Sequence, residues 1–168
     1  MITSTKGIEL IKHFESLHDG DLKVIGLQPK MCPAGYWTEG WGRLVLDNKG
    51  NKLEGIANKA KAYKFSKIHN EAEAEIALKE DLAIRESMIN SLNLKLNQVQ
   101  FDALVSFCYN IGFANLKTST LLKEIVANPI NKDIATQFKK WIYSKKVIMP
   151  GLIKRREAEA ILYFSNTK

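Results

Sequence analysis

The sequence predicts an α+β fold, mostly α, and three observations carry that expectation. Strand-type patterning is confined to the first third, in the aromatic and Gly-rich stretch Tyr36–Trp41 and in Leu44–Leu46. Residues 71–93 keep helical periodicity without a break, over roughly 34 Å at the standard rise. Beyond residue 94 the chain reads as helices joined by short turns. The expected organisation over residues 1–168 is a single domain. It has a β-containing lobe over about 15–68, a connecting helix over about 71–93, and a helical lobe of 94–168 with 1–14.

Residues 1–15 form the first expected helix. Ser4 or Thr5 caps it, and Ile8, Ile11 and Phe14 recur at three-residue spacing on one face. Glu15 stands at its C-terminal end, where the helix dipole disfavours a negative charge. Residues 16–31 read as a loop, with Asp19-Gly20-Asp21 as a turn, since the remaining ligands of a calcium loop are missing. Pro33-Ala34-Gly35 turns the chain into the strand Tyr36–Trp41, and Leu44–Leu46 with Asn51–Leu53 suggests a hairpin about Asp47–Gly50. From there to Ser66 the composition suggests irregular chain.

Asn70 with Glu73 offers a capping box for the long helix, whose apolar stripe is Ala74, Ala77, Leu78, Leu82, Met88, Ile89 and Leu92. Asn97 with Gln100 opens a helix over Val99–Ile111, apolar on most sides and ended by Gly112. Cys108 within it fits a small core residue. Further helices are expected over Ser119–Ala127, Asn131–Ser144 and Leu152–Phe164, with Lys145–Gly151 as a loop.

The formal charge is +7, which suits a polyanionic partner or a lysine-rich solvated surface. The densest cluster, Lys154-Arg155-Arg156, is followed by Glu157 and Glu159 and reads as a mixed-charge helix face, so no nucleic-acid partner is expected. Neither the two cysteines nor the three histidines show ligand spacing, and no metal or cofactor is expected. No window reaches the roughly 18 apolar residues of a membrane span. The N-terminal residues lack the apolar core of a signal peptide, so the expected place of synthesis is a cytoplasm.

An acid (Glu15), a thiol (Cys32) and a hydroxyl (Thr38) stand near the aromatic, Gly-rich strand. Rings that stack on sugars and backbone bared by glycine suggest a carbohydrate cleft. Glycosidic cleavage needs a proton donor on one side of the bond and a base or nucleophile on the other. Glu15 suits the first role. Cys32 suits the second only if activated, because a free thiol is mostly protonated at neutral pH.

These residues resemble the phage-type lysozymes, or endolysins, which hydrolyse peptidoglycan. The resemblance lies in Phe14-Glu15-Ser16, in Cys32 and Thr38 separated by five residues, and in Gly40-Trp41-Gly42. It continues through Asn97–Phe107, Asn110-Ile111-Gly112, Ser119–Leu122 and Pro150–Ala158. It implies a lysozyme-like fold, with Glu15 as general acid, Cys32 positioning or activating the attacking group, and Thr38 holding a water. Substrate contacts would fall on Leu44, Tyr109, Asn110 and Ser119. The implied substrate is the β-1,4 bond between N-acetylmuramic acid and N-acetylglucosamine. A monomer is implied, without stable membrane insertion, released by a membrane-permeabilising holin to act on the cell wall.

Two departures stand out. Sixteen residues separate Glu15 from Cys32, where the family usually has eight; the excess falls in Asp19–Pro29. Arg43 also stands where many members have His. The thiol leaves two routes open, as base on a water or as nucleophile. A non-catalytic wall-binding protein and a lytic transglycosylase are the alternative readings.

Overall fold

The computed structural model describes residues 1–144 and 146–166. The chain divides into two compact units, one of Met1–Phe14 with Leu82–Lys168 and one of Glu15–Asp81. Among the described residues no helix is long and apolar enough to cross a membrane.

The Glu15–Asp81 unit holds a small antiparallel sheet in the order β1 (Lys30–Met31), β2 (Trp37–Glu39), β3 (Arg43–Leu44). Lys30 pairs with Thr38 and Met31 with Trp37; Thr38 also pairs with Leu44 and Glu39 with Arg43. β1 lies in the stretch read as loop, because two exposed residues carry no periodic signal. The hairpin about Asp47–Gly50 closes through a Leu46–Lys52 bridge, and the Asp47 carboxylate accepts from the Lys49 and Asn51 amides.

Trp37, Val45, Leu53 and Ala62 form one buried cluster of this unit, with Tyr63 and Phe65 packed against it. Ala62 belongs to α2 (Lys59–Phe65), preceded by a 3₁₀ turn over Ile56–Asn58. The irregular chain expected here is therefore helical. Lys and Ala are strong helix formers, and seven residues with one buried position are too few to show a period.

The extra residues of the Asp19–Pro29 stretch leave through a pinched base. The Gly20 amide donates to the Gln28 carbonyl at 2.9 Å, and a Cβ on Gly20 would lie 2.2 Å from the Pro29 carbonyl oxygen. Asp19 accepts from the Asp21 amide, as a turn requires. The excursion leaves Leu22, Val24 and Ile25 exposed.

Helix α3 runs over Glu71–Asn90, three residues shorter than expected. Asn70 accepts from the Glu73 amide, but the Glu73 carboxylate returns to His69 rather than to Asn70, one residue off a true capping box. Met88 is exposed, against its place in the expected stripe.

The other unit begins with α1 (Thr5–Glu15), whose first turn is capped by Ser4 Oγ at the Gly7 amide. Glu15, the last residue of α1, belongs to the Glu15–Asp81 unit. Helix α4 (Gln98–Ile111) carries the capping box read from Asn97 and Gln100, and is buried from Val99 through Cys108. Burial pushes the Cys108 thiol up to about 11, which suits a core residue and not a nucleophile.

Helices α5 (Phe113–Thr118) and α6 (Thr120–Ala127) follow, with α5 filling a stretch the sequence left unassigned. Helix α7 stops at Lys139, well short of Ser144. Tyr143–Ser144 (β4) and Val147–Ile148 (β5) then pair as a hairpin, so strands are not confined to the first part of the chain. Lys145, the start of the expected loop, lies outside the described residues.

Helix α8 (Pro150–Phe164) splits the mixed-charge cluster, leaving Lys154 and Glu157 exposed. Arg155, Arg156 and Glu159 are all buried. The Glu159 carboxylate accepts from Ser106 Oγ at 2.8 Å and pairs with Arg155 at 3.2 Å and Arg156 at 3.1 Å. A buried charge survives only when paired and hydrogen-bonded, and here a carboxylate lies between two guanidiniums.

Candidate active site

The turn Cys32-Pro33-Ala34-Gly35 sets the register of the sheet. The Gly35 amide donates to the Cys32 carbonyl, and the Cys32 amide to the Tyr36 carbonyl, both at 2.8 Å. Proline at the second turn position and Gly35 at φ 92° fit a three-residue hairpin loop with a left-handed closing residue. Opposed residues share a sheet face and alternate residues return to it. Lys30, Thr38 and Leu44 therefore form one row, and Cys32 falls on the same face. Cys32 and Thr38 are diagonal neighbours, a relation that spans about 7–8 Å.

Glu15 reaches this sheet through Gly42. A Cβ built on Gly42 would lie 3.0 Å from Glu15 Oε2, and the residue sits at φ 87°. The other glycine of the Gly-x-Gly is bounded by packing: a Cβ on Gly40 would meet Ile68 Cδ1 at 2.9 Å. One glycine thus admits the acid and the other admits the core.

His18 lies between the two ends. Its amide donates to the Gly40 carbonyl at 2.8 Å, and its ring Nδ1 is 2.7 Å from Thr38 Oγ1. Thr38 Oγ1 also donates to the Lys30 carbonyl at 2.9 Å. Burial holds the His18 ring below its ordinary value of 6.5, against the pull of the Glu15 charge; Lys30 adds to the lowering, and hydrogen bonds to the backbone of Glu15 and Thr38 oppose it.

Two neighbouring charges are committed elsewhere. Arg43, at the usual His position, donates to Asp81 at 3.0 Å, Glu80 at 2.9 Å and the Ala77 carbonyl at 2.6 Å. Glu39, adjacent to Thr38 and so on the opposite face, accepts at one oxygen from Ser66 Oγ and the Lys67 and Ile68 amides. That carboxylate staples the entry to α3 and is not a second acid for Glu15.

The aromatic reading changes. Trp37 and Trp41 are buried, and Trp37 donates its indole N–H to the Gly55 carbonyl, so these rings are core and not sugar platforms. Tyr36 is half-buried with the Lys52 ammonium over its ring.

Of the expected site residues, Glu15, Cys32, Thr38 and Leu44 lie in the Glu15–Asp81 unit, and Tyr109, Asn110 and Ser119 in the other. Tyr109 has the Arg85 guanidinium over its ring. Exposed Asn110 accepts from Arg156 at 2.8 Å. Ser119 is buried and caps α6, accepting from the Leu122 amide and donating to the Leu116 carbonyl. His18, Arg43 and Glu39 are the residues whose roles sequence reasoning missed. The only signal for His18 was its place three residues beyond Glu15.

The family model described as Phage lysozyme matches residues 22–159. An endolysin of Acyrthosiphon pisum secondary endosymbiont phage 1 is 33% identical over 98% of this chain and 99% of its own length. An endolysin of Bacillus phage B103 is also 33% identical over 98% of this chain, which spans 55% of that relative. Among solved structures, the endolysin from Escherichia coli O157:H7 phage FAHEc1 superposes with a TM-score of 0.74 at 28% identity, covering 99% of this chain and 96% of that one. The muramidase domain of SpmX from Asticaccaulis excentricus gives 0.70 at 27% identity, covering 95% of each chain.

Proposed function

We propose, from the premise that the chain belongs to the phage lysozyme family and is a peptidoglycan-hydrolysing glycoside hydrolase, that Glu15, Cys32 and Thr38 carry its reaction. The bond cleaved is the β-1,4 linkage between N-acetylmuramic acid and N-acetylglucosamine. The observation that supports this most is the Glu15 carboxylate lying where a Gly42 side chain would begin, in the turn between β2 and β3, the strands that carry Thr38 and Leu44.

Glu15 protonates the leaving glycosidic oxygen. Cys32 prepares the attacking group from the other side, and Thr38 holds the water that attacks or completes the reaction. Water activation inverts the anomeric centre and a thiol–sugar adduct retains it, so the anomer of the product separates the two routes. Leu44, Tyr109, Asn110 and Ser119 are proposed to contact the glycan, Ser119 through the backbone it caps. The enzyme acts as a monomer, is made in the cytoplasm of the producing bacterium and reaches the wall through a holin.

Loss of a general acid costs typically 10²–10⁴-fold. Release of reducing sugar from purified peptidoglycan is therefore expected to fall by about that factor in Glu15→Gln, with the melting temperature little changed. Wild-type activity in that variant removes Glu15 from the mechanism. Binding of peptidoglycan without any release of sugar by the unmodified protein favours the wall-binding alternative.

A further inference from the structure

Thr38 is 4% exposed, and its hydroxyl already has two protein partners, His18 Nδ1 at 2.7 Å and the Lys30 carbonyl at 2.9 Å. A hydroxyl has one proton and two lone pairs. If the ring carries hydrogen on Nδ1, Thr38 accepts from His18 and gives its own proton to Lys30. If Nδ1 is bare, the Thr38 proton turns to His18. Either way the proton is used within the protein, and anything else that reaches Thr38 meets a lone pair. A water bound there donates one of its hydrogens to Thr38 and keeps its own lone pairs free of it.

We propose that His18 is a positioning residue for this reaction: its ring fixes the direction of the Thr38 hydroxyl, while its backbone amide, on the Gly40 carbonyl, holds the chain leaving Glu15 beside the end of β2. The proposal rests on the reading that Thr38 serves peptidoglycan hydrolysis. An imidazolium has hydrogen on both nitrogens, so protonation admits only the arrangement in which Thr38 points to Lys30. The neutral ring admits both. The charges facing the ring are Glu15 from the end of α1, which favours the imidazolium, and Lys30 from β1, which opposes it. With burial dominant, the ring is neutral at neutral pH and protonates below 6.5.

Two measurements on the full-length protein test this. In the first, nitrogen-15 spectra of the histidine rings are followed against pH in the unmodified protein and in Thr38→Val, with His18→Asn used to assign the His18 signal. The expected result is a His18 midpoint below 6.5 that shifts when the Thr38 hydroxyl is removed. An unchanged midpoint and tautomer in Thr38→Val overturn the coupling. This arm does not depend on activity, so it stands even if no peptidoglycan is hydrolysed and the proposed function fails.

The second measurement is the pH profile of peptidoglycan hydrolysis. His18→Ala is expected to lower kcat on the order of tenfold, as small misplacements of reacting groups do, with KM little changed. In His18→Asn the amide nitrogen takes the place of Nδ1 as a donor that does not titrate. That variant is expected to recover most of the loss and to lack the inflection assigned to His18. Wild-type kcat and profile in His18→Ala, or no recovery in His18→Asn, contradict the proposal.

Discussion

At the scale of single residues, this unit is shaped by what its glycines and short polar groups allow. Gly42 combines a positive φ with a carboxylate where its side chain would begin. Gly42→Ala therefore carries two costs. Left-handed backbone disfavours alanine by about 1–2 kcal/mol, and the new methyl pushes against Glu15. The expected outcome is a modest fall in melting temperature with at least a tenfold fall in peptidoglycan hydrolysis, since an acid displaced from its bond loses orientation. Activity kept at the wild-type level would mean that Glu15 does not work from this position. Ser16 presents the opposite case. It follows Glu15 at φ 58°, a left-handed residue just past the end of α1 where glycine is usual. Ser16→Gly relieves that conformation and is expected to stabilise by up to about 1 kcal/mol, read as a rise in the urea midpoint.

At the scale of elements, α4 and α8 are joined by buried charge as well as by apolar packing. The Glu159 carboxylate on α8 takes the Ser106 hydroxyl of α4, Arg155 bonds the Ser106 carbonyl, and the Arg156 guanidinium lies 4.7 Å from the centre of the Phe107 ring. Removing one member leaves unpaired charge in the interior. Glu159→Ala is expected to cost about 3–5 kcal/mol, and the melting temperature to fall on the order of 10 °C. A change within 1 °C would show that the arginines find water when the carboxylate is gone.

The same elements show what the sequence made legible. Helices with a cap and several buried positions were readable: Asn97 and Gln100 announce α4, and the 3.6-residue pattern carries α3 to within three residues of its end. Short elements were not. α2 and α5 turn fewer than three times, and β1 and β4 have two residues each, too few for any period to separate. Trp141 illustrates a further ambiguity. It packs on Phe107 with ring centres 5.6 Å apart, as its spacing from Phe138 suggests, yet it does so from beyond the end of α7. The pattern fixes which side chains go inward, not the backbone that brings them there. The proposed site residues were named from the sequence motif, whereas the His18 link to Thr38 depends on strand register, which no local pattern encodes.

At the scale of the whole chain, the family match covers residues 22–159 and the net charge is +7. An excess of lysine suits an enzyme whose substrate lies in an anionic envelope, where long-range attraction speeds encounter and weakens as salt rises. The proposed reaction rests on three side chains, and the thiol is the least usual of them. The most direct test is digestion of purified peptidoglycan by the unmodified protein, Glu15→Gln and Cys32→Ser, with products identified by mass. The account predicts disaccharide-peptides with hydrolysed, reducing muramic acid ends from the unmodified protein, and losses of about 10²-fold or more in both variants. Anhydro-muramic ends, or full activity in Cys32→Ser, would contradict it.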